Sequence, residues 1–383
     1  MTTNSAPSSP RVFAVIAGGG TAGHMIPALA IAEQLVDRGR SARSVAFVAS
    51  QRPVDAQLLA DTDHPRLLLN VDGLQRSVSP RALVRSAIAV PKLLIATAIA
   101  TRQLRLWRTR VVVSVGGFAS EPAVRAARAL GIPVVVVSYD QQPGLATRRQ
   151  ARKAAAVATA FAGSVLPGAK HTGAPVRNSV RRLVRNTAAD DSARARAAAV
   201  VFGINPSRRI VVAMGGSLGS QTINAAIEGW VAENKQRDDL AVLHLAGERF
   251  VDLPGGSFGA TGIHYVRRAS HANMADVWLI ADVVVCRAGA STIAELVAVG
   301  AAGVVVPWAA AADDHQRRNA RWLSDAAAAI VVDEADVATR FAKELSRVVD
   351  DAVLRERLSA KSYALGALNR SSAIGSIIES VAP

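Results

Sequence analysis

The stretch Val12-Phe13-Ala14-Val15-Ile16-Ala17-Gly18-Gly19-Gly20-Thr21-Ala22-Gly23-His24 decides the fold. Its apolar, β-branched start, Val12–Ala17, predicts a buried strand, and the three glycines after it predict a turn. From Pro27 to Leu35 apolar residues recur at helical spacing, so the turn leads into a helix. A strand, a glycine turn and a helix in this order predict the first unit of a parallel α/β sheet.

The same pattern recurs along both halves of the chain. Apolar runs that each end in a turn predict further strands at Val45–Ala49, Val111–Val115, Val134–Val137, Ile210–Ala213, Val242–Ala246, Val283–Cys286 and Gly303–Val306. Such short runs, alternating with helical segments, are typical of parallel sheets buried on both faces. The segment Asn178–Pro206, rich in Arg, Ala and Asp, has no strand pattern and marks a boundary. We therefore predict an α/β protein with two Rossmann-like domains facing each other across a cleft, the default ligand site.

Charge is distributed unevenly along the 383 residues. The chain carries 45 Lys and Arg against 30 Asp and Glu, and residues 1–180 hold nearly all of the excess of +15. A one-sided basic field suits a phosphorylated substrate, an anionic membrane or nucleic acid, unless it only reflects a genome that favours Arg. Few aromatic residues lie among the basic ones, which disfavours stacking on nucleic acid. The single cysteine, Cys286, excludes a disulfide framework and fits a reducing compartment.

One basic and apolar stretch stands apart. Leu74–Arg110 contains eight Lys and Arg and no acid, mixed with leucines and isoleucines. Its most apolar run, Ala87–Thr101, is shorter than the roughly 20 residues that cross a bilayer. The pattern favours a helix lying on an anionic membrane, and the alternative is an ordinary amphipathic helix pair packed on the sheet. The candidate membrane residues are Leu74, Leu83, Arg85, Ile88, Lys92 and Leu93.

The loop Gly18–His24 contains a G-x-G-x-x-G pattern, which alone is a weak dinucleotide fingerprint. That interpretation also needs an acid at the tip of the second strand, where the sequence is Ala49-Ser50-Gln51-Arg52. Arg52 could instead meet a 2′-phosphate. His24 is either a base that projects into the cleft or a helix-start residue with a local hydrogen bond. Gly116–Ser120, after another predicted strand, is either a ligand loop or a tight turn.

Three motifs follow predicted strands in the second half. Gly215–Ser220 combines glycines and hydroxyls before a helix, which suits a diphosphate, although the ending of a Walker A loop is absent. Glu295 could accept both hydroxyls of a ribose or be a solvated helix charge. Gln316 and Asn319 share a helix face and could both reach a sugar. No H-E-x-x-H motif, cysteine pair or carboxylate cluster indicates a metal, so we expect none.

Seven segments, in this order, resemble the MurG family of glycosyltransferases. They extend over most of the chain and are Gly19–Ala30, Val115–Pro122, Pro143–Ala146, Thr172–Arg177, Gly215–Gly219, Ala281–Glu295 and Asp314–Ala320. The resemblance implies a GT-B fold and a role in peptidoglycan synthesis, without a cofactor. The implied reaction is a metal-independent, inverting transfer of N-acetylglucosamine from UDP-N-acetylglucosamine (UDP-GlcNAc) to the 4-hydroxyl of undecaprenyl-diphosphate-MurNAc-pentapeptide.

The resemblance also implies roles for individual residues. The UDP-GlcNAc site would be formed by Arg177, Gly216, Ser217 and Leu218 around the diphosphate, His271 at the uracil, Glu295 at the ribose, and His315 and Gln316 at the sugar. The acceptor would lie over Gly20, Thr21, Ala22, Gly23 and Phe118. His24 is the candidate base or acceptor-positioning residue, and Asp140 is the second catalytic candidate.

The chain departs from the family pattern near the reacting sugar. Where the family usually has His-Glu-x-Asn, this chain has Val137-Ser138-Tyr139-Asp140. Phe118 replaces a usual Tyr, and Ala174 replaces a usual Asn. These differences keep two alternatives open: a diverged GT-B enzyme that transfers a UDP-sugar to another acceptor, and a non-catalytic nucleotide-sugar-binding protein.

These roles divide the chain into five predicted regions. They are a flexible tail at residues 1–10, a Rossmann-like acceptor and membrane domain at 11–178, a linker at 179–205, a Rossmann-like UDP-sugar domain at 206–350 and helices at 351–383, with the option of packing back on the N-terminal domain. The tail has no secretory signal pattern, so we expect a peripheral protein at the cytoplasmic face of the cell membrane. The expected partners are UDP-GlcNAc, the lipid-linked acceptor and the anionic membrane surface, but not nucleic acid.

Overall fold

The computed structural model describes residues 11–71, 80–183, 188–216, 218–250, 261–311 and 314–383, with only the backbone at 80–88 and 188–190. The chain divides into two compact units. The first comprises Met1–Arg177 with Ser371–Pro383, and the second comprises Asn178–Arg370. Each unit is built on its own parallel sheet with helices around it.

The first unit alternates strands and helices from its first described residues onward. Its elements are β1 (Ala14–Ala17), α1 (Ala22–Asp37), β2 (Val45–Ser50), α2 (Pro53–Ala60), β3 (Arg66–Leu69), α3 (Pro80–Leu106), β4 (Val111–Ser114), α4 (Glu121–Ala129), β5 (Val134–Ser138), α5 (Leu145–Ala151), β6 (Ala156–Thr159) and β7 (Ala169–His171). The strands lie parallel in the order β3-β2-β1-β4-β5-β6-β7. Ala17 lies opposite Val48 in β2 and Ser114 in β4. The strand order reverses between β1 and β4, so the loops after these two strands are neighbours.

The second unit repeats this plan. Its elements are α6 (Asn178–Arg181), α7 (Ala188–Arg196), β8 (Arg209–Met214), α8 (Gln221–Glu233), β9 (Leu240–Leu245), β10 (His264–Arg268), α9 (Met274–Ile280), β11 (Val283–Cys286), α10 (Ala290–Val299), β12 (Ala302–Val305), α11 (His315–Asp325), β13 (Ile330–Val331), α12 (Val337–Asp350) and α13 (Ala352–Leu365). The strands lie parallel in the order β10-β9-β8-β11-β12-β13. Cys286 lies opposite Met214 and Val305, so the loops after β8 and β11 are neighbours at the reversal.

The last helix, α14 (Ala373–Val381), belongs to the first unit. Its Gly375 N–H donates to Gln34 Oε1 at 3.2 Å, and Glu379 accepts from Arg38 Nε and Arg40 Nε at 2.7 and 3.0 Å. A Cβ at Gly375 would lie 2.6 Å from Arg38 Cδ, so the close approach of α14 to α1 depends on this glycine.

The buried cores follow the sequence pattern. Every residue of β1, β2, β4 and β5 is buried, because helices cover both faces of the sheet. β8 and β11 are similarly buried in the second unit, and Trp230 and Trp278 are its largest fully buried side chains. The predicted α/β class with two Rossmann-like domains is confirmed.

Several elements differ from the prediction. All eight predicted strands are present, but β3, β6, β7, β10 and β13 were not predicted. These five lie at or next to a sheet edge, and most of them are short and partly exposed, so they lack a continuous apolar run. The part of the basic stretch that the structure describes forms one helix, α3, with Pro91 inside it, rather than a pair. Among the described residues, no helix is both long and apolar enough to cross a bilayer.

Candidate functional site

The first glycine loop follows β1 and is bound by the side chain of Asp55 in α2. Gly20 N–H donates to both oxygens of Asp55, at 3.0 and 2.7 Å, and Ser50 N–H donates to the same carboxylate at 3.0 Å. Arg52 Nη1 donates to the Gly20 carbonyl at 3.0 Å. Asp55 is fully buried and was missed from the sequence, although an acid in the first turn of the next helix was the available signal. In the dinucleotide interpretation the Gly20 N–H would donate to a phosphate, but here it donates to Asp55.

His24 lies between the two glycine loops of the first unit. Its Nδ1 is 3.1 Å from Thr21 Oγ1, and its ring lies against the Gly117 backbone. A Cβ at Gly117, where φ is +74°, would lie 3.0 Å from His24 Nε2, so only glycine fits there. Burial lowers the pKa of His24 below 6.5, while the nearby carboxylates of Asp140 and Asp55 act in the opposite direction. A neutral imidazole at pH 7 can accept a proton, as a base must.

A cavity of about 770 Å³ opens beside His24. It is lined by Phe118 from the second glycine loop and by the four residues at the end of β5 and directly after it, Val137, Ser138, Tyr139 and Asp140. Burial and the charge of Asp140 raise the pKa of Tyr139 well above 10, so this phenol stays protonated. The structure therefore brings His24, Phe118 and Asp140 to one cavity, and Thr21 contacts His24 from its rim.

A buried amide fixes the second glycine loop, which follows β4. Gln150 Oε1 accepts from Ser114 Oγ at 2.6 Å, and its Nε2 donates to Ser120 Oγ at 3.0 Å and to Glu121 Oε1 at 2.9 Å. Ser114 Oγ in turn accepts from Gly116 N–H at 3.2 Å. Gln150 was not predicted, because its role depends on α5 packing beside β4 and not on any local motif.

Three guanidinium groups surround the same cavity. They belong to Arg125, Arg128 and Arg149, and the acids that line the cavity with them are Asp140 and Glu121, the latter 3.4 Å from Arg125 Nε. Arg128 Nη2 donates to the Gln150 carbonyl at 2.9 Å. Three cations against two acids leave an excess of positive charge around the cavity, which favours phosphate groups.

The glycine loop of the second unit follows β8. A Cβ at Gly219, where φ is +77°, would lie 2.1 Å from the Ala246 carbonyl oxygen, so this loop touches the loop after β9 backbone to backbone. Ser220 Oγ accepts from Ile223 N–H at 3.3 Å and caps α8. The Leu218 carbonyl accepts from Arg249 Nε at 3.2 Å, and Gly216 has a φ of +88°. Ser217, a predicted diphosphate residue, lies outside the described residues.

Four more of the predicted UDP-GlcNAc residues follow strands at the same carboxyl edge of the second sheet: His271, Glu295, His315 and Gln316. Glu295 Oε2, in α10, accepts from Trp278 Nε1 at 2.7 Å. Gln316 Oε1, at the start of α11, accepts from the Trp308 N–H at 3.0 Å, and His315 precedes it. His271 Nε2 is 3.1 Å from Asp276 Oδ2, with its ring centre 4.9 Å from that of Phe202.

Glu334 holds three of the surrounding segments together. Its carboxylate accepts from Arg287 Nη2, from Thr222 Oγ1 at 2.8 Å and from Ala309 N–H at 2.9 Å. Burial opposes ionisation, but these hydrogen bonds prevail and lower the pKa of Glu334 below 4.5. Glu334 thus ties the loops after β11 and β12 to α8, a role that the sequence did not reveal.

Some predicted positions behave differently from expectation. Asn319 is fully buried and donates to the Ala288 carbonyl at 3.1 Å, so it supports the loop after β11 and does not face a sugar. Leu93 is buried and lines the first-unit cavity, because its position on α3 turns inward. Arg177 ends the first unit, where its Nε donates to Glu33 Oε1 at 2.6 Å. Leu74 and the side chains of Leu83, Arg85 and Ile88 lie outside what the structure describes.

Comparisons with known proteins cover nearly the whole chain. Residues 14–159 match the glycosyltransferase family 28 N-terminal domain, and residues 210–373 match the glycosyltransferase family 28 C-terminal domain. A UDP-N-acetylglucosamine–N-acetylmuramyl-(pentapeptide) pyrophosphoryl-undecaprenol N-acetylglucosamine transferase from Anaeromyxobacter dehalogenans is 34% identical, over 92% of this chain and 88% of its own. The enzyme of the same name from Paenarthrobacter aurescens is also 34% identical, over 96% of both chains. The crystal structure of Acinetobacter baumannii MurG superposes with a TM-score of 0.68 at 23% identity, over 96% of this chain and 99% of its own, and supports the fold.

Two Rossmann-like units with glycine loops at their sheet edges define the class, a glycosyltransferase of GT-B fold. The two glycosyltransferase family 28 domains occur here in their expected order. The chain belongs to the MurG family. The resemblance inferred from the seven sequence segments is thereby confirmed.

Proposed function

We propose that this protein transfers N-acetylglucosamine from UDP-GlcNAc to the 4-hydroxyl of undecaprenyl-diphosphate-MurNAc-pentapeptide. The observation that carries the proposal is the 34% identity over more than nine-tenths of the chain to transferases named for this reaction. The supporting geometry is a neutral histidine beside a cavity in the first unit and a glycine loop before a capped helix in the second.

The proposed chemistry is a single displacement at the anomeric carbon. The acceptor 4-hydroxyl attacks that carbon, the bond to UDP breaks, and UDP leaves with the bonding electron pair. His24 takes the hydroxyl proton or positions the acceptor, and Asp140 stabilises the imidazolium. One displacement inverts the anomeric configuration. The acceptor lies against Thr21, Ala22, Gly23 and Phe118. Because the Gly20 N–H already donates to Asp55, Gly20 contacts the acceptor through its other atoms.

The donor site is proposed at the carboxyl edge of the second sheet. Gly216, Ser217 and Leu218 precede α8, whose N-terminal end favours the negative charge that builds up on the leaving diphosphate. Glu295 holds the ribose, His271 borders the uracil, and His315 and Gln316 meet the sugar. Stabilisation by a helix terminus is the basis for proposing a reaction without a metal.

The attachment to the membrane is proposed through α3. Leu94 and Ile95 are 60% and 62% exposed, and Arg102 and Arg105 follow on the same side of the helix. Apolar side chains beside guanidinium groups suit the headgroup region of an anionic bilayer. With the acceptor cavity in the same unit, this surface supports the proposal of a peripheral protein at the cytoplasmic face of the cell membrane.

A panel of acceptors tests the proposal. Purified protein receives UDP-GlcNAc, UDP-glucose or UDP-N-acetylgalactosamine, each with the lipid-linked muramyl pentapeptide or with its water-soluble sugar-peptide part. Mass spectrometry follows the products. We expect one product, from UDP-GlcNAc and the lipid-linked acceptor.

A second candidate function is supported by the changed residues Val137–Asp140, which line the acceptor cavity. It is transfer of a UDP-sugar to another acceptor. Donor hydrolysis without transfer to the muramyl lipid would favour this candidate.

A further inference from the structure

The fully buried carboxylate of Asp55 binds the first glycine loop, which leads to His24. Asp55 lies in α2, a helix that does not line the cavity. It lies in the first turn of this helix, and its two oxygens receive four hydrogen bonds from the Gly20 N–H, the Ser50 N–H and the Ser50 hydroxyl. These hydrogen bonds fix the position of the carboxylate and, through it, the position of the loop backbone. None of its contacts is needed to close the sheet, because β1 and β2 pair through their own backbones.

The loop is shaped around this carboxylate. A Cβ at Gly19, where φ is +135°, would lie 2.3 Å from Asp55 Oδ2, so the backbone approaches the acid as closely as glycine permits. Both polar groups of the Gly20 peptide segment are fixed, the N–H by Asp55 and the carbonyl by Arg52 Nη1. Thr21 follows directly and holds His24 Nδ1 at 3.1 Å. The orientation of the imidazole therefore depends on Asp55 through one short run of backbone.

Resting on the proposed function, we infer that Asp55 is the positioning residue of His24: it locks the first glycine loop so that the imidazole faces the cavity, and its charge favours the imidazolium that forms during transfer. The charged and titratable groups facing His24 are few. Among the described residues, Asp140 and Tyr139 approach from the end of β5 and Asp55 acts from the start of α2, while the loop after β4 presents the uncharged Gly117. Arg52 binds the Gly20 carbonyl instead. Loss of one carboxylate should thus be measurable at the histidine.

The first test uses Asp55→Asn, which keeps the size of the side chain and removes its charge. Turnover should fall by about 10²-fold, as expected when a catalytic group is misplaced by about 1 Å, while the Michaelis constant for UDP-GlcNAc stays unchanged. Asp61→Asn, an exposed aspartate at the end of the same helix, is the matched control and should behave as wild type. Unchanged turnover of Asp55→Asn beside an active wild type would overturn the inference and leave the proposed function intact.

The second test does not depend on transfer. The ring-proton NMR signal of His24, assigned with His24→Ala among the seven histidines, is titrated in wild type and in Asp55→Asn. The pKa of His24 should be lower in Asp55→Asn, because one of two neighbouring negative charges is gone. An unchanged pKa together with a lowered melting temperature would mean that Asp55 is only structural. If Asp55→Asn does not fold, Ser50→Ala, which removes one donor to the carboxylate, should lower turnover several-fold, and wild-type turnover would contradict the inference.

Discussion

His24 is kept neutral by burial, yet two carboxylates stand ready to stabilise its charged form. This combination matches the requirements of a general base, which must be unprotonated before the reaction and must tolerate a proton during it. Its Nδ1 is engaged by Thr21, while the other ring nitrogen faces the second glycine loop. The imidazole is therefore held on both sides, so that proton uptake does not require the ring to move.

Replacement of His24 tests this account at one residue. Turnover of His24→Ala should fall by roughly 10²–10⁴-fold, the usual contribution of a general base. Binding of UDP-GlcNAc, measured by calorimetry, should not change. The matched control is His171→Ala, since His171 lies exposed on the edge strand β7. A wild-type rate for His24→Ala would remove this residue from the mechanism.

The pH dependence follows from the lowered pKa of His24. Because the pKa of His24 lies below 6.5, more than half of the imidazoles are neutral at any pH above 6.5, so the transfer rate should fall to half of its maximum only below pH 6.5. Initial rates in a series of buffers at constant ionic strength measure this. A rate that already halves above pH 7 would contradict the neutral-base account.

Glu295 tests the donor side. Glu295→Ala removes the carboxylate proposed for the ribose and leaves the Trp278 indole N–H, now 2.7 Å from that oxygen, without its acceptor. Loss of a charged hydrogen bond costs about 1.5–3 kcal/mol, so the Michaelis constant for UDP-GlcNAc should rise about 10–100-fold. Glu295→Gln keeps an acceptor for Trp278 and separates folding from binding. Unchanged donor kinetics in both variants would exclude a ribose role.

At the scale of elements, α3 presents two different faces. Leu93, Ala96, Ala100 and Leu104 are buried against the first unit, whereas Val90, Leu94, Ile95 and Ile99 are exposed. Exposed apolar side chains cost little singly, but four on one helix, followed by Arg102 and Arg105, form a surface suited to a membrane. Of the predicted membrane residues, Leu93 is buried, because residue spacing alone did not give the rotation of the helix.

Introduction of negative charge on the exposed face of α3 tests this surface. The double variant Leu94→Glu and Ile95→Glu should bind vesicles containing phosphatidylglycerol at least about 10-fold more weakly, since each buried leucine or isoleucine contributes about 1.5–3 kcal/mol. Val353→Glu, on α13 and 76% exposed, is the control and should bind as wild type. Co-sedimentation measures the binding. Equal binding of all three proteins would place the membrane contact elsewhere.

A buried histidine joins three elements of the second unit. His244 in β9 lies 2.7 Å from Tyr265 Oη in β10 and 3.0 Å from Asn224 Oδ1 in α8, and Asn224 Nδ2 donates to the Ala246 carbonyl beside the glycine loop. Burial, with Arg267 nearby, lowers the pKa of His244 to about 4. The neutral ring donates to Asn224 and accepts from Tyr265, and a second proton would break this arrangement.

This histidine makes the free energy of unfolding depend on pH. Between pH 6.5 and 4 this histidine is protonated in the unfolded chain but not in the folded one. Its contribution to the free energy of unfolding is therefore fully present above pH 6.5 and decreases by up to about 3 kcal/mol towards pH 4. In His244→Gln that decline should be smaller. Urea unfolding followed by tryptophan fluorescence measures it, because four of the five tryptophans lie in the second unit. Parallel declines in both proteins would contradict the assignment.

Across the whole molecule, the repeated strand and glycine-loop units could be predicted from the sequence. Residues whose roles depend on contacts with distant parts of the chain were missed. The glycine loops and buried strands follow from local patterns of glycine and valine, and they located the carboxyl edges of both sheets correctly. Gln150 and Glu334 could not be predicted, because their roles arise only when α5 and the segment before α12 fold against loops far away in the chain. For Asp55 the sequence offered only its place in the first turn of α2, and its contact with Gly20 likewise arises only in the folded chain. Asn319 failed for the same reason, since a favourable helix face proved to be the buried one.

The most direct measurement is transfer of label between the two proposed substrates. Purified protein receives UDP-[¹⁴C]GlcNAc and undecaprenyl-diphosphate-MurNAc-pentapeptide with excess chelator, and the lipid product is extracted into butanol. The account predicts label in the butanol phase from the wild type, undiminished by chelator, and about 10²–10⁴-fold less from His24→Ala. Bound UDP-GlcNAc without any labelled lipid, or label that depends on a divalent cation, would contradict it.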